Sequence, residues 1–385
     1  MTAVDDLMRD AGAYYCIECG KCTTVCPIAN ADPEFAPRLI VVKAMAGIAN
    51  VALEPDIWRC MTCETCSEMC PYNVLYSEFI RGLRAEAASM GIVSVCSQHD
   101  LMQTMMRMMA TPGIEQNRLG WVTPDLKIAD KGEVFYFTGC LPQMSTIFRD
   151  QEDLNLIGIA QSAVAIFNRA GITPVVSNQE VCCGHDLNWT GDEVNFEKLM
   201  RINLDLIKKS GATKVVFTCA ECLRTFEIDY QDIAGDLDYE LLHISEFVDD
   251  LVAEGKITFD GVEEKVTYHD PCRLGRHLGI YDAPRNVIGA IEGMDLIEME
   301  RTREKSACCG VSAWLTCDSI AKEMQLARMV EAVGTGSKKL ITSCPKCQIH
   351  LRCAISEEMP IEREKADIPI EDFTILVANS IKTGA

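Results

Sequence analysis

The chain has 385 residues, with 36 Lys and Arg against 57 Asp and Glu, a formal net charge of −21. That balance excludes a typical nucleic-acid binder, because phosphate neutralisation needs clustered Lys and Arg; acidic surfaces suit steered docking to basic partner patches. The 21 cysteines, a start (MTAVDDLMRDAGAYYC) without a basic region followed by an apolar one, and the lack of a long apolar run point to metal ligation in a reducing cytoplasm, rather than to disulfides or a membrane span.

Residues 1–95 are expected to form the first domain. Cys16, Cys19, Cys22 and Cys26 precede Pro27, and Cys60, Cys63, Cys66 and Cys70 precede Pro71. Both runs read C-x2-C-x2-C-x3-C-P, as in a bacterial-type ferredoxin with two clusters, where three cysteines wrap one cubane and the fourth reaches the other. The spacing therefore assigns Cys16, Cys19, Cys22 and Cys70 to one 4Fe–4S cluster. Cys60, Cys63, Cys66 and Cys26 take the second. Zinc also uses C-x-x-C pairs, but as two pairs and not as repeated runs of four. Apolar spacing in PRLIVVKAMAGIAN (37–50) and SEFIRGLRAEAASMG (77–91) predicts helices, so this ferredoxin domain is of the helical type.

Residues 96–132 are expected to be a linker. Its Met-rich stretch, LMQTMMRMMATPG (101–113), ends in a Thr-Pro-Gly turn signal. Methionines can form an adaptable contact surface; a core helix is the favoured reading.

Residues 133–262 and 263–385 look like a tandem duplication. Each half opens with a strand ending at a cysteine: EVFYFTGC at Cys140 and KVTYHDPC at Cys272. A helical stretch follows, then a second strand (GITPVVS; GMDLIEM) and a Cys-Cys-Gly, Cys182-Cys183-Gly184 or Cys308-Cys309-Gly310. A third strand (TKVVFT; KKLITS) runs into C-x-x-C, with Cys219 and Cys222 or Cys344 and Cys347. Between the cysteine pair and the C-x-x-C lie 35 residues in one half and 34 in the other. Alternating strands and helices predict βαβ units with a parallel sheet in each half, and parallel sheets place sites at the carboxyl ends of their strands. The fold class is thus α+β / α/β: a helical two-cluster ferredoxin domain followed by two tandem α/β domains.

Five soft thiolates per half exceed the four that tetrahedral zinc needs and suit a larger cluster. Gly184 and Gly310 let the chain bend and approach closely beside each pair. No G-x-G-x-x-G follows a strand and no Walker A motif occurs, so no flavin or NAD is expected on this chain. One-electron clusters without a two-electron entry point imply a flavin- or iron–sulfur-containing donor subunit in a hetero-oligomeric complex.

The two Cys-Cys-Gly halves resemble the catalytic subunit of heterodisulfide reductase, and the N-terminal array resembles that enzyme's ferredoxin-like subunit. Fused in this order, the chain is similar to the single-chain heterodisulfide reductase D subunit. The resemblance implies a noncubane 4Fe–4S cluster on each five-cysteine set, with the two clusters facing one another across a site where a disulfide is split. Cys183 and Cys309 would belong to the catalytic site. In some relatives one such domain holds zinc, so zinc at one set stays open. The implied function is an oxidoreductase subunit passing electrons through two cubane clusters to two noncubane clusters, with disulfide reduction or the reverse thiol oxidation. The alternatives are an electron-relay subunit, like that of class II benzoyl-CoA reductase complexes, and the iron–sulfur subunit of a quinone-linked dehydrogenase.

His185, after the first Cys-Cys-Gly, and His269, three before Cys272, are candidate proton donors because histidine titrates near neutral pH. Arg273, Arg276 and His277 are expected to face solvent, and Asp270-Pro271 to make a turn. Cys96, Cys317 and Cys353 read as core. Trp189 and Trp314 follow the Cys-Cys-Gly motifs closely and are expected to wall the clusters or pack.

Overall fold

The computed structural model describes residues 3–47, 51–94, 96–151, 154–315, 317–356 and 363–382. It is a mixed helical and parallel-sheet protein. No helix among the described residues is long and apolar enough to cross a membrane.

The N-terminal part is built from short helices joined by tight loops. In both ferredoxin runs the same positions take left-handed backbone. Glu18 and Thr62 correspond, at φ 57° and 45°, as do Gly20 and Glu64, at 79° and 63°. These kinks curl each C-x2-C-x2-C loop into a cup. The predicted helices form at Pro37–Met45 and Tyr76–Ser89. Gly47, at φ 66°, follows the first; the 48–50 end of that expectation lies outside the described residues. The second buries Phe79, Ile80, Leu83 and Ala87 on one face, at the spacing a core-facing helix requires.

The first sheet has parallel strands in the order β1 (Val134–Phe137), β2 (Lys214–Phe217) and β3 (Glu240–His243). The second is also parallel, in the order β5-β4-β6-β7, from β4 (Glu264–His269), β5 (Met294–Leu296), β6 (Lys339–Thr342) and β7 (Ile370–Asp372). β1 and β4 thus occupy equivalent places, as do β2 and β6, and β3 and β7. β1, β2 and β6 read as apolar runs, FYF, VVF and LIT, whose residues are all buried, as strands of a covered parallel sheet require.

GITPVVS, expected as a strand, contributes only isolated bridges, with Val175 pairing to Phe135 and Ala129. Pro174 lacks the N–H a longer ladder would need. β3 and β7 were not expected from the sequence. Their residues, ELLH and IED, are too few and too polar to stand out by periodicity. The two halves pack on each other through the Leu156–Arg169 and Phe373–Ser380 helices and through Ile244–Ala253 against Asp282–Gly289. One continuous apolar core runs through the molecule.

The stretch expected as a linker is tied into that core. The Leu101–Met109 helix buries Met102, Met106 and Met109, as its core reading expects. Arg118 is buried and donates to Glu180 Oε1 at 2.8 Å, to Thr138 Oγ1 at 3.2 Å and to the Gly139 carbonyl. It therefore braces the turn that presents Cys140.

Candidate metal centres

Cys16, Cys19, Cys22 and Cys70 line one cavity, together with Cys66, Arg38 and Tyr72. Cys26, Cys60, Cys63 and Cys66 line a second, together with Phe35 and Tyr76. The crossed arrangement follows from chain geometry: Cys26 and Cys70 lie beyond the cups and swing to the opposite one, Pro27 starting a new helix at Cys26. Cys19 of the first, outer set is exposed, whereas Cys26, Cys60 and Cys63 of the second, inner set are buried.

In the first α/β half, Cys140, Cys182, Cys183, Cys219 and Cys222 line a single cavity. Cys140 follows β1 and Cys219 follows β2, so both sit at the carboxyl edge of the sheet. The helix that carries Cys222 widens to a π-helix over Thr225–Tyr230. Tyr230 donates from there to the Cys183 carbonyl at 2.8 Å, which fixes the cysteine pair from behind; such π segments recur at functional sites. Asn203 donates to the Cys182 carbonyl at 3.1 Å.

The thiols neighbour one another in series, each close enough to influence the next one's charge. The series runs Cys140–Cys182–Cys183–Cys222–Cys219 within the first half. Cys219 then meets Cys344 of the second half. From there the series continues Cys347–Cys309–Cys308–Cys272. Cys308 also meets Cys63 of the inner ferredoxin cavity. The two five-cysteine sets are therefore contiguous, and the second abuts the ferredoxin part.

A 4Fe-4S dicluster domain family matches residues 12–74, and a cysteine-rich domain family matches 134–227 and 266–352. The D subunit of the dihydromethanophenazine:CoB–CoM heterodisulfide reductase of Methanosarcina acetivorans is 35% identical over 277 residues, 69% of this chain and 63% of the relative. The same subunit of the Methanosarcina barkeri enzyme is 36% identical over 279 residues, with the same coverage.

The chain belongs to the family of heterodisulfide reductase D subunits.

It spans 63% of the length of these curated relatives. The EtfAB:quinone oxidoreductase of Syntrophomonas wolfei is 31% identical over 49% of this chain and 28% of its own. A crystal structure of a hypothetical protein from Helicobacter pylori shares the fold, with a TM-score of 0.59 at 9% identity, covering 100% of this chain and 78% of that one. Iron–sulfur binding follows from the dicluster and cysteine-rich domains together.

Around the cysteine sets of this heterodisulfide reductase relative lies a dense, buried charge network. Glu221 and Lys346 hold the same place in the two C-x-x-C segments, Cys219-Ala-Glu-Cys222 and Cys344-Pro-Lys-Cys347. Their side chains pair with each other across the two halves, and Lys346 also pairs with Asp186. Asp186 Oδ1 lies 2.9 Å from His185 Nδ1. His185, Asp186 and Glu221 are close enough to share a cation, but the Lys346 ammonium already takes that place. Sequence reasoning singled out neither acid; the only available signal was the charge reversal between the two C-x-x-C segments.

The two candidate histidines differ. His185 accepts from Arg273 Nε through Nε2 at 3.1 Å and faces Asp186 through Nδ1, so both ring nitrogens are engaged. His269 accepts from Arg328 Nε through Nδ1 at 3.1 Å. Burial pushes its pKa down to about 4, so at neutral pH the proton sits on Nε2. That buried N–H has no hydrogen-bond partner among the described residues, and the ring lies beside Cys309. An orphaned buried donor next to converging thiols fits a bound group rich in sulfur acceptors, which is what an iron–sulfur cluster offers.

Several sequence expectations need correction. Arg273, Arg276 and His277 do not face solvent: Arg273 and Arg276 are 3% and 7% exposed, and the His277 side chain is fully buried. They follow Cys272 directly and pack against the inner ferredoxin loop, whose free carbonyls draw the cations inward. Asp270 does more than turn the chain. It forms an ion pair with Arg285 at 2.7 Å and accepts from the Arg303 N–H at 2.9 Å. Cys317 is exposed and Cys353 only half-buried; Cys96 is buried. Trp189 and Trp314 are buried. Trp189 lies between the guanidiniums of Arg224 and Arg273, 4.8 and 4.1 Å from its ring; Trp314 stacks on Phe148.

Proposed function

We propose that the chain is an electron-transferring oxidoreductase subunit, with cubane 4Fe–4S clusters on its two ferredoxin cysteine sets and noncubane 4Fe–4S clusters on its two five-cysteine sets. A flavin- or iron–sulfur-containing partner in the cytoplasm supplies the electrons, and a disulfide is reduced between the two α/β halves. In that reaction one S–S bond breaks, two electrons and two protons are consumed and two thiols form; thiol oxidation is the reverse. The observation that carries this reading is the succession of neighbouring thiols from Cys63 through Cys308 to Cys140. Electron transfer needs short gaps, and this succession of neighbouring thiols supports a short route from the inner ferredoxin set to both five-cysteine sets.

Clusters at these sites would supply one-electron chemistry and soft iron atoms with affinity for sulfur. The chain's own residues hold and shield them. Buried Trp189 packs on His185 and Arg273, and buried Trp314 on Phe148 and His350. The His269 Nε2–H offers a donor beside Cys309. The paired Glu221 and Lys346 fix how the C-x-x-C segments face each other. His185, held between Arg273 and Asp186, serves as a positioning residue.

Anaerobic turnover of the iron-loaded chain with a mixed disulfide and a reduced viologen dye tests the reading. Release of two thiols per two electrons is expected. A fully loaded chain that transfers electrons but leaves the disulfide intact would sink the substrate assignment and favour the relay alternative.

A further inference from the structure

The inner and outer ferredoxin sets sit in opposite electrostatic surroundings. Three buried guanidiniums clasp the backbone of the inner loop. Arg84 donates to the Cys60 carbonyl at 2.6 Å and to the Ile57 carbonyl at 2.9 Å. Arg273 donates to the Thr62 carbonyl at 2.7 Å and to its hydroxyl at 2.8 Å. Arg276 donates to the Cys63 carbonyl at 2.5 Å. The field of Arg84 and Arg273 reaches the Cys60 sulfur, and that of Arg276 the Cys63 sulfur. The Thr62 N–H adds a hydrogen bond to Cys60 Sγ at 3.3 Å. Against these stands Glu64, which holds the Ser77 hydroxyl at 2.9 Å. At the outer set Lys21 is exposed, and Arg38 is neutralised by Glu18 at 3.3 Å on an open surface.

A reduced cubane carries one more negative charge than an oxidised one. Buried cations stabilise that charge strongly, whereas exposed ones are screened. Net charge, hydrogen bonds to sulfur and solvent exposure set cluster potentials. All three distinguish the inner set from the outer.

We propose that Arg84, Arg273 and Arg276 tune the inner cluster, on Cys26, Cys60, Cys63 and Cys66, to a higher reduction potential than the outer one. Electrons entering at the exposed outer set therefore run downhill to the inner set and collect beside Cys308. Arg84 belongs to the ferredoxin part itself, but Arg273 and Arg276 belong to the second α/β half, so their share of the tuning exists only while that half is seated on the ferredoxin part. The inference rests on the cluster assignment above.

An EPR-monitored redox titration of the anaerobic holoprotein tests it. Two cubane midpoints are expected, and Cys19→Ala should alter only the lower one. Arg276→Gln should lower the inner midpoint by at least a tenfold change in the reduced-to-oxidised ratio, about 59 mV for one electron. Arg276→Lys, which keeps the charge, should shift it less, and neither should move the outer midpoint. Tuning is refuted if Gln and Lys shift the midpoint equally, or if the wild-type inner cluster titrates at or below the outer. Should the variants not fold, that wild-type order decides. An iron-loaded wild type without cubane signals would overturn the cluster assignment itself.

Discussion

At the residue scale, the glycine after each cysteine pair is held by different neighbours. Gly184 has φ 82°, and a Cβ there would lie 2.7 Å from the Phe196 ring edge. Gly310 has φ 86°, and its Cβ would meet the Ala321 carbonyl at 2.9 Å. A ring can tilt; a helix carbonyl cannot. Gly310→Ala should therefore cost more than Gly184→Ala, by about 1–3 kcal/mol of combined strain, and release more iron, read by thermal unfolding and metal analysis. His243 carries a pH prediction. It caps the Ile244–Ala253 helix, and burial lowers its pKa from 6.5 to about 4. The folded state resists protonation, so the stability contribution is complete above pH 6.5 and is lost as pH falls toward 4. The loss is at most about 1.4 kcal/mol per pH unit. His243→Asn, which keeps a capping acceptor, should flatten that part of the stability–pH curve; an unchanged slope would show that other groups set it.

At the element scale, the two C-x-x-C segments meet as partners and not as copies. Glu221 and Lys346 bring opposite charge to equivalent positions. Lys346→Met would leave Asp186 and Glu221 buried without a cation, at a cost of about 3–5 kcal/mol. Adding Glu221→Gln should recover part of that loss, with a coupling of about 1–3 kcal/mol in a double-mutant cycle followed by denaturant unfolding. Strictly additive losses would mean that the pair does not hold the seam. The strands that open each half and lead into C-x-x-C are legible in the sequence, because their apolar runs are bounded by cysteines. β3 and β7 are not, since their pairing to β2 and β6 depends on neighbours far away in sequence. The Arg273–His277 segment misleads for the same reason. Its polar residues look like surface until the ferredoxin loop supplies the carbonyls they bind.

At the scale of the whole molecule, the four proposed clusters of four irons each predict about 16 Fe per chain. Cys309→Ala should remove about four of these and one noncubane EPR signal while leaving the cubane signals; loss of all signals together would show that the sites do not assemble independently. The sequence by itself determined which cysteines gather: fixed spacings of a soft, reactive residue type bring Cys16, Cys19, Cys22 and Cys70 to one cavity and Cys26, Cys60, Cys63 and Cys66 to another. It also determined the duplication, because two halves with matched gaps must fold alike. Only the tertiary structure decided which set touches which. That Cys219 meets Cys344 and Cys63 meets Cys308, and that the arginines after Cys272 turn inward, are consequences of how separately encoded surfaces bury one another, and no local pattern records the partner of a buried charge.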